Sequence, residues 1–220
     1  MGLSTRGTDS EQKSPDETPA ASKVAASGRL TLGIDPALGT TGYGLIRWTS
    51  ASVEVVDAGI VRCRRDRPLE DRLKELYEGI DEIVREFSPD DFAIEELYSH
   101  YDRPTTAILM GHARGVILLA ARQSGLAVSS YAATKIKKTL TGNGRASKAQ
   151  MQLAVQHQLR LASLPEPSDV ADALAIAMTH IQNSQIPSAS VDLLTGSSRT
   201  VRQALNGQAV SSVSPLAPRK

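Results

Sequence analysis

The sequence predicts an α/β fold: a mixed sheet of five strands flanked by helices. Three observations carry the prediction. Short apolar runs at 30–35, 43–48 and 53–61 follow one another closely, as in an antiparallel meander. Two further runs, at 92–95 and 127–131, alternate with long segments whose apolar residues recur at helical spacing. The order that results is βββαβαβα, with extra helices before the last, and strands that alternate with helices indicate a sheet covered by helices.

Each element has a local cause. Leu30 to Asp35 is a short buried strand, ended by Pro36, and Gly39 to Gly42 forms a turn. Tyr43 to Trp48 and Val53 to Val61 complete the meander. Leu69, Leu73, Leu76, Ile80, Ile83 and Val84 place a helix over about 69–87, which Ser88-Pro89 stops. Phe92 to Glu95 is the fourth strand and Ala127 to Tyr131 the fifth. The segment 105–123 is apolar nearly all round, with Gly111 and Gly115 four apart, and is expected to be a buried helix packed closely on another element, with His112 packed within it. Helices are expected near 134–140, from about 146 to 161 after a Gly142-Asn143-Gly144 turn, and from near Asp169 to about Ile181.

With 220 residues, the chain has room for one ordinary domain plus tails. Residues 1–28 and 184–220 are rich in Ser, Pro and small residues and cannot bury enough surface to offset their ordering entropy. They are expected to be mostly disordered, with a short helix possible at 198–205, and the folded domain is expected to span 29–183. A lone cysteine, Cys63, excludes a disulfide framework, and with 4 histidines it argues against a structural zinc site. The sequence contains no run of 18 apolar residues, so no membrane span is expected. The N-terminal segment has no apolar signal core, so the expected location is cytoplasmic.

The formal net charge is +1, which taken alone argues weakly against a nucleic-acid protein. The sum conceals a segregation. From Glu54 to Glu96 there are 14 acidic and 7 basic residues, whereas the 63 residues from Arg103 to Pro165 hold 9 basic residues and no acidic one. That is the pattern of a basic face for a polyanion beside a separate acidic pocket.

Acidic residues interrupt the hydrophobic pattern at three places. Asp35 and Glu95 each close an apolar strand, and Asp169 and Asp172 lie one turn apart on a helix of otherwise small apolar residues. Singly, each has an ordinary reading: a strand-end turn, an exposed strand end shared with Glu96, or a helix cap. Together, four converging carboxylates without matched arginines would repel and raise one another's pKa values unless a divalent cation neutralised them. All-oxygen ligands indicate a hard ion, Mg²⁺ or Mn²⁺. Two such ions about 3.5–4 Å apart are the machinery of phosphodiester hydrolysis, one activating a water and the other stabilising the leaving 3′ oxygen. Asp35, on the central strand, is best placed to bridge both.

The segments GIDPALGTTGYG at 33–44, FAIEELY at 92–98, GHARG at 111–115, YAATKIKKTLTGNGRASKAQ at 131–150 and DVADALAIAMTH at 169–180 together resemble the RuvC family of Holliday-junction resolvases, in order and with similar spacing over about 29–181. The resemblance implies an RNase H-like fold, a homodimer, and Mg²⁺-dependent paired nicking of a four-way DNA junction during recombination and repair. It maps the family's acidic quartet, the catalytic and metal-binding residues, onto Asp35, Glu95, Asp169 and Asp172. It maps the aromatic near the junction centre onto Tyr98 and the DNA-contacting lysines onto Lys137 and Lys148. It also implies a hexameric branch-migration motor and its junction-binding protein as partners. On physical grounds Lys135, Lys138 and Arg145 join those lysines as phosphate contacts, with steep salt dependence. An aromatic at Tyr98 could stack on an unpaired base, worth roughly 1–3 kcal/mol.

Two departures stand out. The loop 99–104 is one residue longer than is usual in the family and lacks its common Asn, and Glu96 stands where Gln is common. Two other classes compete. A non-catalytic junction-binding scaffold would gain nothing from four carboxylates beside phosphates. An ATP-binding protein of the actin/Hsp70 fold is suggested by the glycine-rich segment 33–44, but that fold needs two related halves and more residues than are available here.

Overall fold

A computed structural model describes residues 28–97 and 104–184. The expected tails, apart from Gly28 and Ser184, lie outside these residues, as do the short helix at 198–205, Tyr98 and loop residues 99–103. The first three strands, β1 (Arg29–Asp35), β2 (Thr40–Trp48) and β3 (Val53–Arg62), form the antiparallel meander, and β4 (Asp91–Glu95) and β5 (Val128–Tyr131) add in parallel on the other side of β1. The strand order is β3-β2-β1-β4-β5. Five helices follow the predicted order: α1 (Leu69–Phe87), α2 (Pro104–Gln123), α3 (Ala133–Thr141), α4 (Lys148–Leu159) and α5 (Ser168–Ser184). The turn foreseen at 39–42 is shorter than expected, because β2 already begins at Thr40.

Side-chain size divides the sheet into two unlike faces. Leu30, Leu32 and Ile34 of β1 and Phe92 and Ile94 of β4 pack with α1 and α2. Alternation along the strands puts Gly33 and Ala93 on the opposite face, under α5. A Cβ at Gly33 would lie 2.6 Å from the Ala177 backbone nitrogen, and one at Gly42 would overlap the Asp169 carbonyl oxygen. The glycines are thus a floor on which α5 lies with its own alanines facing down. The large side chains build a core on one face; the small ones bring a helix close on the other.

Local signals set the helix ends. Ser88, in the left-handed region at φ 47°, caps α1 by donating its N–H to the Val84 carbonyl. Ser147 and Gln150 form a reciprocal capping box, so α4 starts at Lys148.

One expectation fails: α2 is not buried all round. Ala113, Ile117, Ala120 and Ala121 face the core, while Ile108, Gly111, His112, Gly115 and Leu119 form an exposed stripe. Ile108 is 61% exposed and Leu119 53%, and a Cβ on either glycine would meet nothing within 4 Å. His112 lies on that stripe rather than packed within the helix. Composition reports that both sides of a helix are apolar; it does not report whether the same chain covers both. On length and composition α2 could cross a bilayer. Here one face packs into the core, and Arg114 on its flank donates to the Glu95 carbonyl at 3.2 Å and to Ser130 Oγ at 2.8 Å.

Candidate active site

The carboxylates meet because three elements end at one edge of the sheet. Asp35 is the last residue of β1 and Glu95 the last of β4, and the parallel register pairs Ile34 with Ile94, so the two acids are neighbours across the ladder. α5 begins over the same edge, its Asp169 resting on Gly42, which pairs with Asp35 in the antiparallel register. Asp172 follows one turn later on the same helix face. Arg114 fixes the end of β4 through the Glu95 carbonyl.

The electrostatics follow from that convergence. Burial, then the charges of Glu95, Asp172 and Asp169, push the Asp35 carboxyl up to about 7, with Lys148 opposing. Burial, then Asp172, also raise Glu95, against the pull of Lys137. Burial raises Asp172 as well, although Lys148 works to lower it. Lys148 Nζ sits 3.3 Å from Asp172 Oδ2. Lys137 and Lys148 line a cavity of about 200 Å³ with Glu95, Asp172, Ile136 and Met151.

Of the residues singled out in the sequence, Asp35, Glu95, Asp169, Asp172, Lys137 and Lys148 therefore share one site. Lys135, Lys138 and Arg145 are exposed, on α3 and the α3–α4 turn. Glu96 is exposed too, its backbone N–H bonded to the Tyr131 carbonyl. His180 is buried: its Nδ1 is 3.0 Å from the Tyr131 hydroxyl and its Nε2 3.5 Å from Asp91. Arg114 and the glycine floor were not singled out as site-forming. A signal for the floor existed, since glycines within strands mark close approach of another backbone.

The donor set suits a hard divalent cation: oxygen ligands only, with more negative charge than Lys137 and Lys148 offset. Among the described residues no three acidic, histidine or cysteine side chains already surround a common point. Glu95 and Asp172 line the cleft, with Lys148 supplying positive charge at Asp172.

A mixed five-stranded sheet with a cluster of carboxylates at the ends of β1 and β4 and on α5 defines an RNase H-like nuclease architecture. Within that class, residues 31–180 match the family model described as crossover junction endodeoxyribonuclease RuvC, and the chain belongs to that family. It is 52% identical over 152 residues to the crossover junction endodeoxyribonuclease RuvC of Rhodopirellula baltica, covering 69% of this chain and 85% of that protein. It is 41% identical over 153 residues to the enzyme of the same name from Desulforamulus reducens, covering 70% and 93%. Among solved structures it resembles Thermus thermophilus RuvC in complex with a Holliday junction substrate, with TM-score 0.68 and 30% identity, covering 72% of this chain and 96% of that one.

Proposed function

We propose that this chain resolves four-way DNA junctions by paired symmetric nicks during recombination and repair. Asp35, Glu95, Asp169 and Asp172 act as its catalytic, metal-holding carboxylates. The observation that carries this reading is the convergence of acids from β1, β4 and α5 beside Lys137 and Lys148, in a chain of the RuvC family.

The carboxylates would hold two Mg²⁺ ions, with Mn²⁺ as a substitute. When bound, the metal supplies an activated water and charge neutralisation at the leaving 3′ oxygen. The chain's own residues do the rest. Asp35, beside Glu95 across the ladder and within the field of Asp169 and Asp172, would be the ligand common to both ions. Lys137 and Lys148 draw a phosphodiester towards the acids, and an incoming phosphate offers the Lys148 ammonium a second anion beside Asp172. Exposed Lys135, Lys138 and Arg145 extend the phosphate contacts away from the cleft, and Tyr98 stacks on a base at the junction centre.

A homodimer fits a substrate with two equivalent strands. The apolar stripe of α2, with Gly111 and Gly115 allowing close approach, is the face that would join the copies. A hexameric branch-migration motor and its junction-binding protein would deliver the substrate, and the enzyme would work beside its DNA in the cytoplasm. The test is incubation with synthetic four-way junctions, linear duplexes and flaps, with and without Mg²⁺. Paired symmetric nicks restricted to the junction are expected, and Asp35→Asn should bind junctions without cutting them. Cutting by that variant at the wild-type rate would remove the metal assignment; cutting of linear duplex at the same rate would remove the substrate.

A further inference from the structure

The segment that reads as acidic in the sequence also delivers cations to the active edge. β3 ends at Arg62, which pairs with Thr40 at the start of β2, and β2 in turn pairs Gly42 with Asp35. Neighbouring strands are about 4.8 Å apart and Arg62 lies two residues beyond Ile60, which is level with Gly42 and Asp35, so the end of β3 stands roughly 12 Å from that of β1, at the same edge. From Arg62 the chain runs Cys-Arg-Arg-Asp-Arg into α1.

This turn is pinned from below and open above. The Cys63 side chain is buried and its N–H donates to the Gly39 carbonyl at 3.1 Å. The Arg64 N–H donates to Glu75 Oε2 at 2.9 Å. With the backbone fixed, Arg62 and Arg65 stay exposed. Arg65 lies beside the loop that follows Asp35: a Cβ on Gly39 would be 3.4 Å from its Nε and Nη2. Arg64 pairs with Asp66 and Arg67 with Asp71. Among the described residues no carboxylate lies within 4.0 Å of Arg62 or Arg65. Beneath the same loop, Arg72 Nη2 donates to the Leu38 carbonyl at 3.4 Å, and its buried Nε has no partner.

We propose that Arg62 and Arg65 form a second phosphate-binding rim, which holds a nucleic-acid backbone on the side of the carboxylate cleft opposite Lys137 and Lys148. The inference rests on the reading that junction DNA occupies the cleft, and deepens it. A polyanion approaching four carboxylates is repelled at its target, and cations on one wall alone would pull it to that side. Guanidinium groups on the other wall balance it across the acids. Arginine suits the task because its planar donors match phosphate oxygens in pairs and its charge persists at any working pH.

The experiment compares the full chain with R62Q/R65Q, R62K/R65K and Lys137→Gln. Binding to an immobile four-way junction and to a linear duplex is followed by fluorescence anisotropy from 50 to about 250 mM KCl in EDTA, where counterion release is read as a slope. Losing two phosphate contacts should flatten the plot of log K against log salt by about 1.8 and weaken junction binding at about 100 mM by tenfold or more. Thermal unfolding should not move, and the lysine pair should restore the slope. A wild-type slope in R62Q/R65Q, with Lys137→Gln flattened, overturns the rim, as does a lysine pair that fails to restore the slope. Wild-type protein that binds junction no better than duplex overturns the functional reading instead, and protein that binds neither overturns both.

Discussion

Asp35 carries a carboxylate that its surroundings oppose. Burial and three neighbouring acids push it up to about 7, against 3.8 for an ordinary aspartate. In the metal-free protein this group therefore binds its proton more tightly when folded, and the stability it lends below pH 3.8 is lost as pH rises through about 7. Asp35→Asn cannot ionise, so in EDTA at pH 8 it should be more stable than wild type by about 2–4 kcal/mol, with no gain near pH 3. Urea unfolding at the two pH values measures this, and added Mg²⁺ should narrow the gap by stabilising wild type. Asp91 behaves in the opposite way: burial works to raise it, but the Arg29 guanidinium at 2.6 Å, together with His180, holds it below the usual range. Its contribution is present at neutral pH and lost on acidification. The contrast separates an acid whose surroundings oppose its charge from one whose charge supports the fold. That Asp35 would stand among other acids was legible in the sequence, not from Asp35 alone but from Glu95, Asp169 and Asp172 interrupting apolar elements as it does. Arg62, Arg65 and Arg114 were not, because their meaning depends on which edge of the sheet the chain returns them to.

At the scale of elements, the position of α5 decides the geometry of the site, and glycines decide the position of α5. Gly33, Gly42 and Gly44 leave no room for a side chain beneath it. Gly42→Ala adds one methyl where the Asp169 carbonyl already lies, so the first turn of the helix must lift. The expected cost is about 1–3 kcal/mol in unfolding free energy. Metal affinity should fall with it, although no acid has been changed; calorimetric titration with Mn²⁺ measures that loss, and unchanged affinity would show that the first turn yields without moving Asp169. The capping box at Ser147 and Gln150 plays a comparable part for Lys148, fixing the first residue of α4 where it reaches Asp172. The elements themselves were legible from hydrophobic period, including the meander and the five strands. Their ends were less so: the pattern carries α4 over about 146–161, whereas the cap and the left-handed Arg160 confine it to 148–159. Caps act through single hydrogen bonds that periodicity does not register.

At the scale of the molecule, α2 shows that an apolar composition does not say which of a helix's faces the fold covers. Its composition predicts cover on all sides, and the described residues cover one. If the stripe joins two copies, Leu119→Glu should leave the monomer folded and shift sedimentation from dimer to monomer at micromolar concentration. Paired nicks on a junction should then become single, uncoupled ones. A wild-type chain that sediments as a monomer at every concentration would refute that use of α2. The described chain also places its last helix on its first two strands, with most of the sequence in between. Asp35 and the α5 acids are 134 and 137 positions apart, read from Asp35, Asp169 and Asp172. During synthesis the cleft cannot exist until nearly all of this domain has left the ribosome, and a chain broken off early carries Asp35 and Glu95 with nothing to complete them. The contact between β1 and α5 thus makes the cleft a property of the whole domain, absent from any shorter piece of it.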